Sequence, residues 1–190
     1  MVDFEDDIKK CISVLEQGGT ILYPTDTIWG IGCDALNEKA VDKVFVIKQR
    51  PAEKSVIVLL AEARDILQYA AFPHPDIIYI LESFDKPTTV IYDGALSFPE
   101  NVINKDGSIA IRVTNDEFCK ALIKRYRRPI VSTSANISGR PAPAFFDDID
   151  KAIVNNVDHV VQYKQHDKTP KQASRLVRIL DDGSLEILRP

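Results

Sequence analysis

EDDIKKCISVLEQGGTILYP, residues 5–24, decides how this chain is read. Its first half has helical spacing, with Ile8, Ile12 and Leu15 recurring on one face. Gly18-Gly19 stops that helix, because glycine enters left-handed backbone at no steric cost. Thr20-Ile21-Leu22-Tyr23 then reads as a short strand, closed by Pro24. A helix that hands over directly to a strand is the unit of an α/β chain, and the pattern recurs downstream. Residues 37–48 form an amphipathic helix with Asn37 as N-cap and Val41, Val44 and Phe45 on one face. Residues 55–60 are nearly continuously apolar, as buried strands are. Helices are expected over 62–71, 75–84 and 117–126, with strands over 88–92, 108–113 and 129–132. A helix near 147–156 and strands at 159–162, 175–180 and 185–188 complete the reading. The interleaving predicts an α/β fold: a twisted mixed parallel/antiparallel sheet with flanking helices and antiparallel strands in the tail.

The 190 residues, 45% of them hydrophobic, are enough for one domain over 1–190 with its own core. Cys11, Cys33 and Cys119 are odd in number and lack a CxxC pair, which speaks against a disulfide framework or a zinc site. No metal site is expected. The acidic start, Asp3 to Asp7, is the opposite of a signal peptide, and no apolar run approaches the roughly 18 residues that cross a bilayer. These features predict a cytoplasmic protein with no membrane contact. A net charge of −4 gives no general attraction to a polyanion. Two local basic groups stand out: Lys124, Arg125, Arg127 and Arg128, and Lys48, Arg50 and Lys54. Convergent cations in an acidic chain suit a small polyphosphate better than a duplex; at a helix end they equally suit a solvated face.

Three segments carry polar groups that chemistry can use. In Tyr23-Pro24-Thr25-Asp26-Thr27-Ile28-Trp29-Gly30-Ile31-Gly32, two hydroxyls and a carboxylate sit where a strand ends. They can orient a small ligand or satisfy their own turn. A dinucleotide fingerprint through Gly30, Gly32 and Ala35 is the rival reading, weakened by the insertion that separates it from its strand. In the second segment, Lys48 continues the inward stripe of its helix, and Pro51 turns Arg50 out of helical conformation. A point charge and a fork of donors then suit a triphosphate. The third segment, Pro129 to Gly139, opens a short apolar strand into Ser132, Thr133, Ser134, Asn136 and Ser138. No GxSxG motif or histidine partner marks a nucleophile there. Strand alternation also sets Ser108, Ala110 and Arg112 on one face, where an arginine among small residues can bind a carboxylate.

Together, GGTILYPTDTIWGIGCDA from Gly18, KQRPAEK from Lys48, SIAIRV from Ser108 and PIVSTSANISGRPAP from Pro129 resemble the YrdC-like family of threonylcarbamoyl-AMP synthases, in its short form without a C-terminal extra domain. The resemblance spans nearly the whole chain. It implies an α/β sheet around a basic cavity. It implies an enzyme, a nucleotidyltransferase, that makes L-threonylcarbamoyladenylate from L-threonine, bicarbonate and ATP and releases pyrophosphate. Mg²⁺ would arrive on the nucleotide. The product would serve threonylcarbamoylation of tRNA adenosine 37 through separate tRNA-modification partner proteins, with weak tRNA or RNA binding as a further expectation. Carried over by position, Thr27, Arg112, Ser132 and Ser174 would bind threonine. Lys48, Arg50, Lys54, Ser108, Ser134, Asn136, Ala142 and Arg189 would line the ATP site, with Lys48 and Arg50 as the catalytic pair. The sequence departs from the family pattern at Lys54, Leu59, Lys86 and Arg175. An RNA-binding module of the same fold, without turnover, is the alternative.

Overall fold

The structure, a computed structural model of the chain, describes residues 4–49 and 56–190. Helix α1 (Glu5–Glu16) buries Ile8, Cys11 and Leu15, and its first-turn acids Glu5, Asp6 and Asp7 complement the positive end of the helix dipole. The chain leaves it through Gly18 at φ +68°, the left-handed residue that ends the helix. Strands β1 (Ile21–Tyr23) and β2 (Gly30–Gly32) follow and pair antiparallel. Helix α2 (Glu38–Ile47) starts at Asn37, whose side chain accepts from the Ala40 amide. Its buried stripe of Val41, Val44 and Phe45 continues into Lys48, which is buried as well.

The remaining elements are β3 (Ile57–Leu60), α3 (Ile77–Glu82), β4 (Thr88–Tyr92), β5 (Ile109–Val113), α4 (Glu117–Tyr126), β6 (Ile130–Ser134), α5 (Lys151–Val154), β7 (His159–Val160), β8 (Arg175–Ile179) and β9 (Leu185–Arg189). Among the described residues the nine strands form one sheet in the order β7-β1-β2-β6-β3-β5-β4-β8-β9. The pairs β1–β7, β3–β5 and β4–β8 are parallel and the others antiparallel, so the sheet is mixed, as the sequence predicts. No helix among the described residues is long and apolar enough to cross a membrane.

Three local expectations differ from the structure. Residues 62–71 hold a 3₁₀ helix, Ala63–Gln68, in place of an α-helix. Its two buried residues, Ala63 and Ile66, are three apart, the spacing that a 3₁₀ turn puts on one edge. The expected helix at 147–156 divides into a 3₁₀ turn, Phe146–Asp148, and α5, because the Asp150 side chain caps a new start by accepting from the Ala152 amide. Strand β2 was hidden in what reads as a glycine-rich turn. A Cβ on Gly32 would stand 2.6 Å from both the Tyr23 ring and the Val131 carbonyl, so glycine there lets β1, β2 and β6 close up.

Candidate functional site

Strand register builds the floor of a cavity of about 390 Å³. Ile91 of β4 pairs with Ala110 of β5, Ala110 with Ile57 of β3, and Ile57 with Ser132 of β6. Directly opposed residues share a face of the sheet, and all four line the cavity. Gly30 pairs with Ser134 in the next strand over; a Cβ on Gly30 would lie 3.1 Å from Ser132 Oγ, so the glycine keeps that side open. The tail closes the opposite side with Ser174, Leu176 and Arg189. Two arginines and no carboxylate line the cavity among the described residues.

Arg112 sits in this wall with only 3% of its side chain exposed. Alternation along β5 turns it and Ala110 to the cavity while Ile109 and Ile111 enter the core. Its Nη1 donates to Thr27 Oγ1 at 3.1 Å, and its Nη2 lies 3.3 Å from Asp26 Oδ1. Its Nε is buried and has no hydrogen-bond partner among the described residues. Asp26 is anchored in turn: its Oδ2 accepts from the Asn115 amide at 3.2 Å and the Thr114 hydroxyl at 3.3 Å. A buried guanidinium is thus neutralised by Asp26 and retains a donor without a partner, and such a cation in a cavity wall suits an anionic oxygen. On the far side, Ser174 Oγ is 2.7 Å from Thr89 Oγ1, and Arg189 donates to the Ser174 carbonyl from Nε at 3.1 Å and Nη2 at 2.8 Å.

The structure brings Thr27, Arg112, Ser132, Ser134, Ala142, Ser174 and Arg189 together on this one cavity. Ser108 stands behind the wall: its hydroxyl donates to Asp106 at 2.6 Å and accepts from Asn104, and Asn104 reaches the cavity in its place. Lys48 also stands behind it. Its Nζ donates to the Ser134 carbonyl and, at 2.7 Å, to the Asn136 carbonyl, so it braces the end of β6 and the loop that follows Ser134. The Asn136 side chain donates to the Ile137 and Arg140 carbonyls and shapes the same loop. Arg50 and Lys54 lie outside the described residues. Sequence reading missed Asn104, whose place depends on a turn that folds it back onto Ser108, and Asp26 as the partner of Arg112. Burial pushes the Cys11 thiol up to about 12 and raises Cys33 and Cys119 well above the ordinary range, so none of the three is a thiolate at neutral pH.

Three of the four cations in the basic group at the end of α4 are otherwise occupied. Lys124 pairs with Glu62, Arg125 makes a fork to Glu5 at 2.6 and 2.7 Å, and Arg128 bonds the buried Asp34 at 2.9 Å.

The family model Sua5/yciO/yrdC, described as "Telomere recombination", matches residues 13–190. A threonylcarbamoyl-AMP synthase of Pseudoalteromonas translucida is 37% identical over 139 residues, covering 72% of this chain and 74% of its own. Another, of Xanthomonas euvesicatoria pv. vesicatoria, is 33% identical over 186 residues, covering 96% of this chain and 97% of its own. Two solved chains of P. abyssi Sua5, one doubly substituted and one complexed with L-threonine, superpose with TM-scores of 0.86 and 0.84 at 25% and 24% identity. Each covers 98% of this chain, which spans just over half of theirs, 56% and 54%.

Proposed function

The chain belongs to the Sua5/yciO/yrdC family, and we propose that it acts as a threonylcarbamoyl-AMP synthase with its active site in the cavity over β3, β5 and β6. It is a nucleotidyltransferase: L-threonine, bicarbonate and ATP give L-threonylcarbamoyladenylate and pyrophosphate, for threonylcarbamoylation of tRNA adenosine 37. Relatives that carry this activity in their names match it over nearly their whole length. The observation that carries the assignment of the site is the meeting of Thr27, Arg112, Ser132 and Ser174 with Ser134, Ala142 and Arg189 from six separate stretches of chain.

In this reading the carboxylate of threonine lies against the Arg112 guanidinium. The amine of threonine takes up CO₂ from bicarbonate, and the resulting carbamate attacks the α-phosphorus of ATP, so that pyrophosphate leaves. No covalent enzyme intermediate is required. The protein positions two substrates and opposes charge that grows on the phosphates. Arg189, Ser134 and Ala142 belong to the nucleotide side, with Ser108 and Asn136 holding that side in shape. Lys48 and Arg50 are the cations assigned to the triphosphate, with Lys48 one hydrogen bond behind Ser134, and Lys54 is assigned beside them. Mg²⁺ arrives on ATP. The product passes to partner proteins that act on tRNA, and the setting is the cytoplasm, where ATP and tRNA are found together.

The test is pyrophosphate release by the purified chain with ATP, threonine and bicarbonate, each omitted in turn. Release is expected only with all three present. Equal release without threonine overturns the assignment.

A further inference from the structure

The pair of threonines beside Arg112 has a hydrogen inventory with one consistent solution. Thr25 Oγ1 lies 2.8 Å from the carbonyl of Ile28, which can only accept, so the one hydroxyl hydrogen of Thr25 is committed there. Thr25 Oγ1 is also 3.0 Å from the Thr27 amide and 2.9 Å from Thr27 Oγ1. With its own hydrogen used, Thr25 accepts from both, and its two lone pairs are filled. The hydroxyl hydrogen of Thr27 is therefore spent on Thr25. Arg112 Nη1 then takes one of the two lone pairs on Thr27 Oγ1. What Thr27 has left, in the wall of the cavity, is a single lone pair.

We propose that Thr25, which is not itself among the cavity-lining residues, is a positioning residue that makes Thr27 an acceptor-only group, so that this part of the wall selects an N–H or O–H of the bound amino acid and turns its carboxylate away. The inference rests on the synthase reading above and deepens it. Its complement stands next to it. Arg112, bonded to Thr27 in the same cavity wall, can only donate. An acceptor and a donor held side by side give an amino acid one orientation, with its carboxylate on the Arg112 side and a donor group on the Thr27 side. A carboxylate placed against Thr27 would set lone pair against lone pair, which leaves buried polar groups unpaired and costs binding.

The polarity cannot reverse cheaply, because the turn is tied down on both flanks. Lys171 Nζ donates to the Thr25 carbonyl at 3.1 Å, and Asp26, between the two threonines, is fastened to Thr114, Asn115 and Arg112. Turning the Thr25 hydroxyl toward Thr27 would strand the Ile28 carbonyl that it now satisfies.

Thr25→Val keeps the shape of the side chain and removes its hydroxyl, which frees the Thr27 hydrogen to point into the cavity. The KM for L-threonine is expected to rise about tenfold, the loss of one well-placed hydrogen bond. The KM for ATP should stay within about twofold, since that substrate does not meet Thr27. Thr25→Ser, which restores the hydroxyl, should bring the threonine KM back toward the wild-type value. Should the valine chain fail to fold, Thr25→Ala enters the same comparison. A threonine KM unchanged in the valine or alanine chain overturns the proposal. So does a joint rise in both KM values that serine does not repair, which would make Thr25 merely structural. The wild-type chain run alongside separates the two levels: without threonine-dependent pyrophosphate release the synthase reading itself falls, and with it this inference.

Discussion

Arg112 and Arg125 show how differently one residue type can be used within one molecule. Arg112 is almost wholly buried, is neutralised by Asp26 behind it, and keeps one donor unused. Arg125, at the exposed end of α4, spends its fork on Glu5 of α1 and fastens two helices. The hydrogen bond from Arg125 holds the Glu5 carboxyl below its usual range, while the same bond raises the guanidinium above its own. In sequence the Lys124–Arg128 group is the denser cluster of charge and suits a small polyphosphate or a solvated helix end equally. In the fold three of its four members, Lys124, Arg125 and Arg128, are paired with Glu62, Glu5 and Asp34. Charge density along the chain says little about function. A desolvated cation with a spare donor says a great deal, because only there is the gain from a new anion undiluted by water.

Arg112→Lys should break the comparison most strongly. Lysine keeps the charge opposite Asp26 and loses the planar fork, so kcat/KM for threonine should fall about 10²-fold with the fold retained. A fall below threefold, about 0.7 kcal/mol on the same scale, would mean that the guanidinium geometry is irrelevant. Asp26→Asn removes the counter-charge and loosens the guanidinium; the threonine KM should rise about tenfold and be partly repaired in Asp26→Glu. Asn104→Ala probes the other end of the cavity, and the KM for ATP should rise a few-fold, about the worth of one neutral hydrogen bond, while the threonine KM stays put. Arg125→Ala is the opposite case: both KM values should be unchanged, because an exposed ion pair far from the cavity contributes little. A loss of activity there would return the helix-end cluster to consideration.

Legibility followed the range of the interactions. Helices α1, α2 and α4, and most strands, could be read because their periodicity and caps are local: Asn37 before α2 and Gly18 after α1 act within a few residues. Strand β2 could not be read, because three residues with two glycines have no pattern of their own and become a strand only between β1 and β6. The site divides in the same way. Alternation on β5 places Arg112 and Ala110 together from sequence alone, whereas Ser108, on the same face, is drawn behind the wall by Asp106 and Asn104. Lys48 was legible as inward-facing, but the carbonyls that receive its ammonium come from residues 134 and 136, far along the chain.

The amino-acid sequence by itself determined the α/β class, the main elements and the motifs that resemble a known family, since each depends on neighbours a few positions apart. Only the tertiary structure decided that Arg112 is held between Thr27 and Asp26, that Lys48 braces a loop, and that Lys124, Arg125 and Arg128 are spent on acids. The physical reason is that burial and hydrogen-bond partnership are properties of contacts between distant segments, and a side chain's chemistry is set by what remains unpaired once those contacts are made.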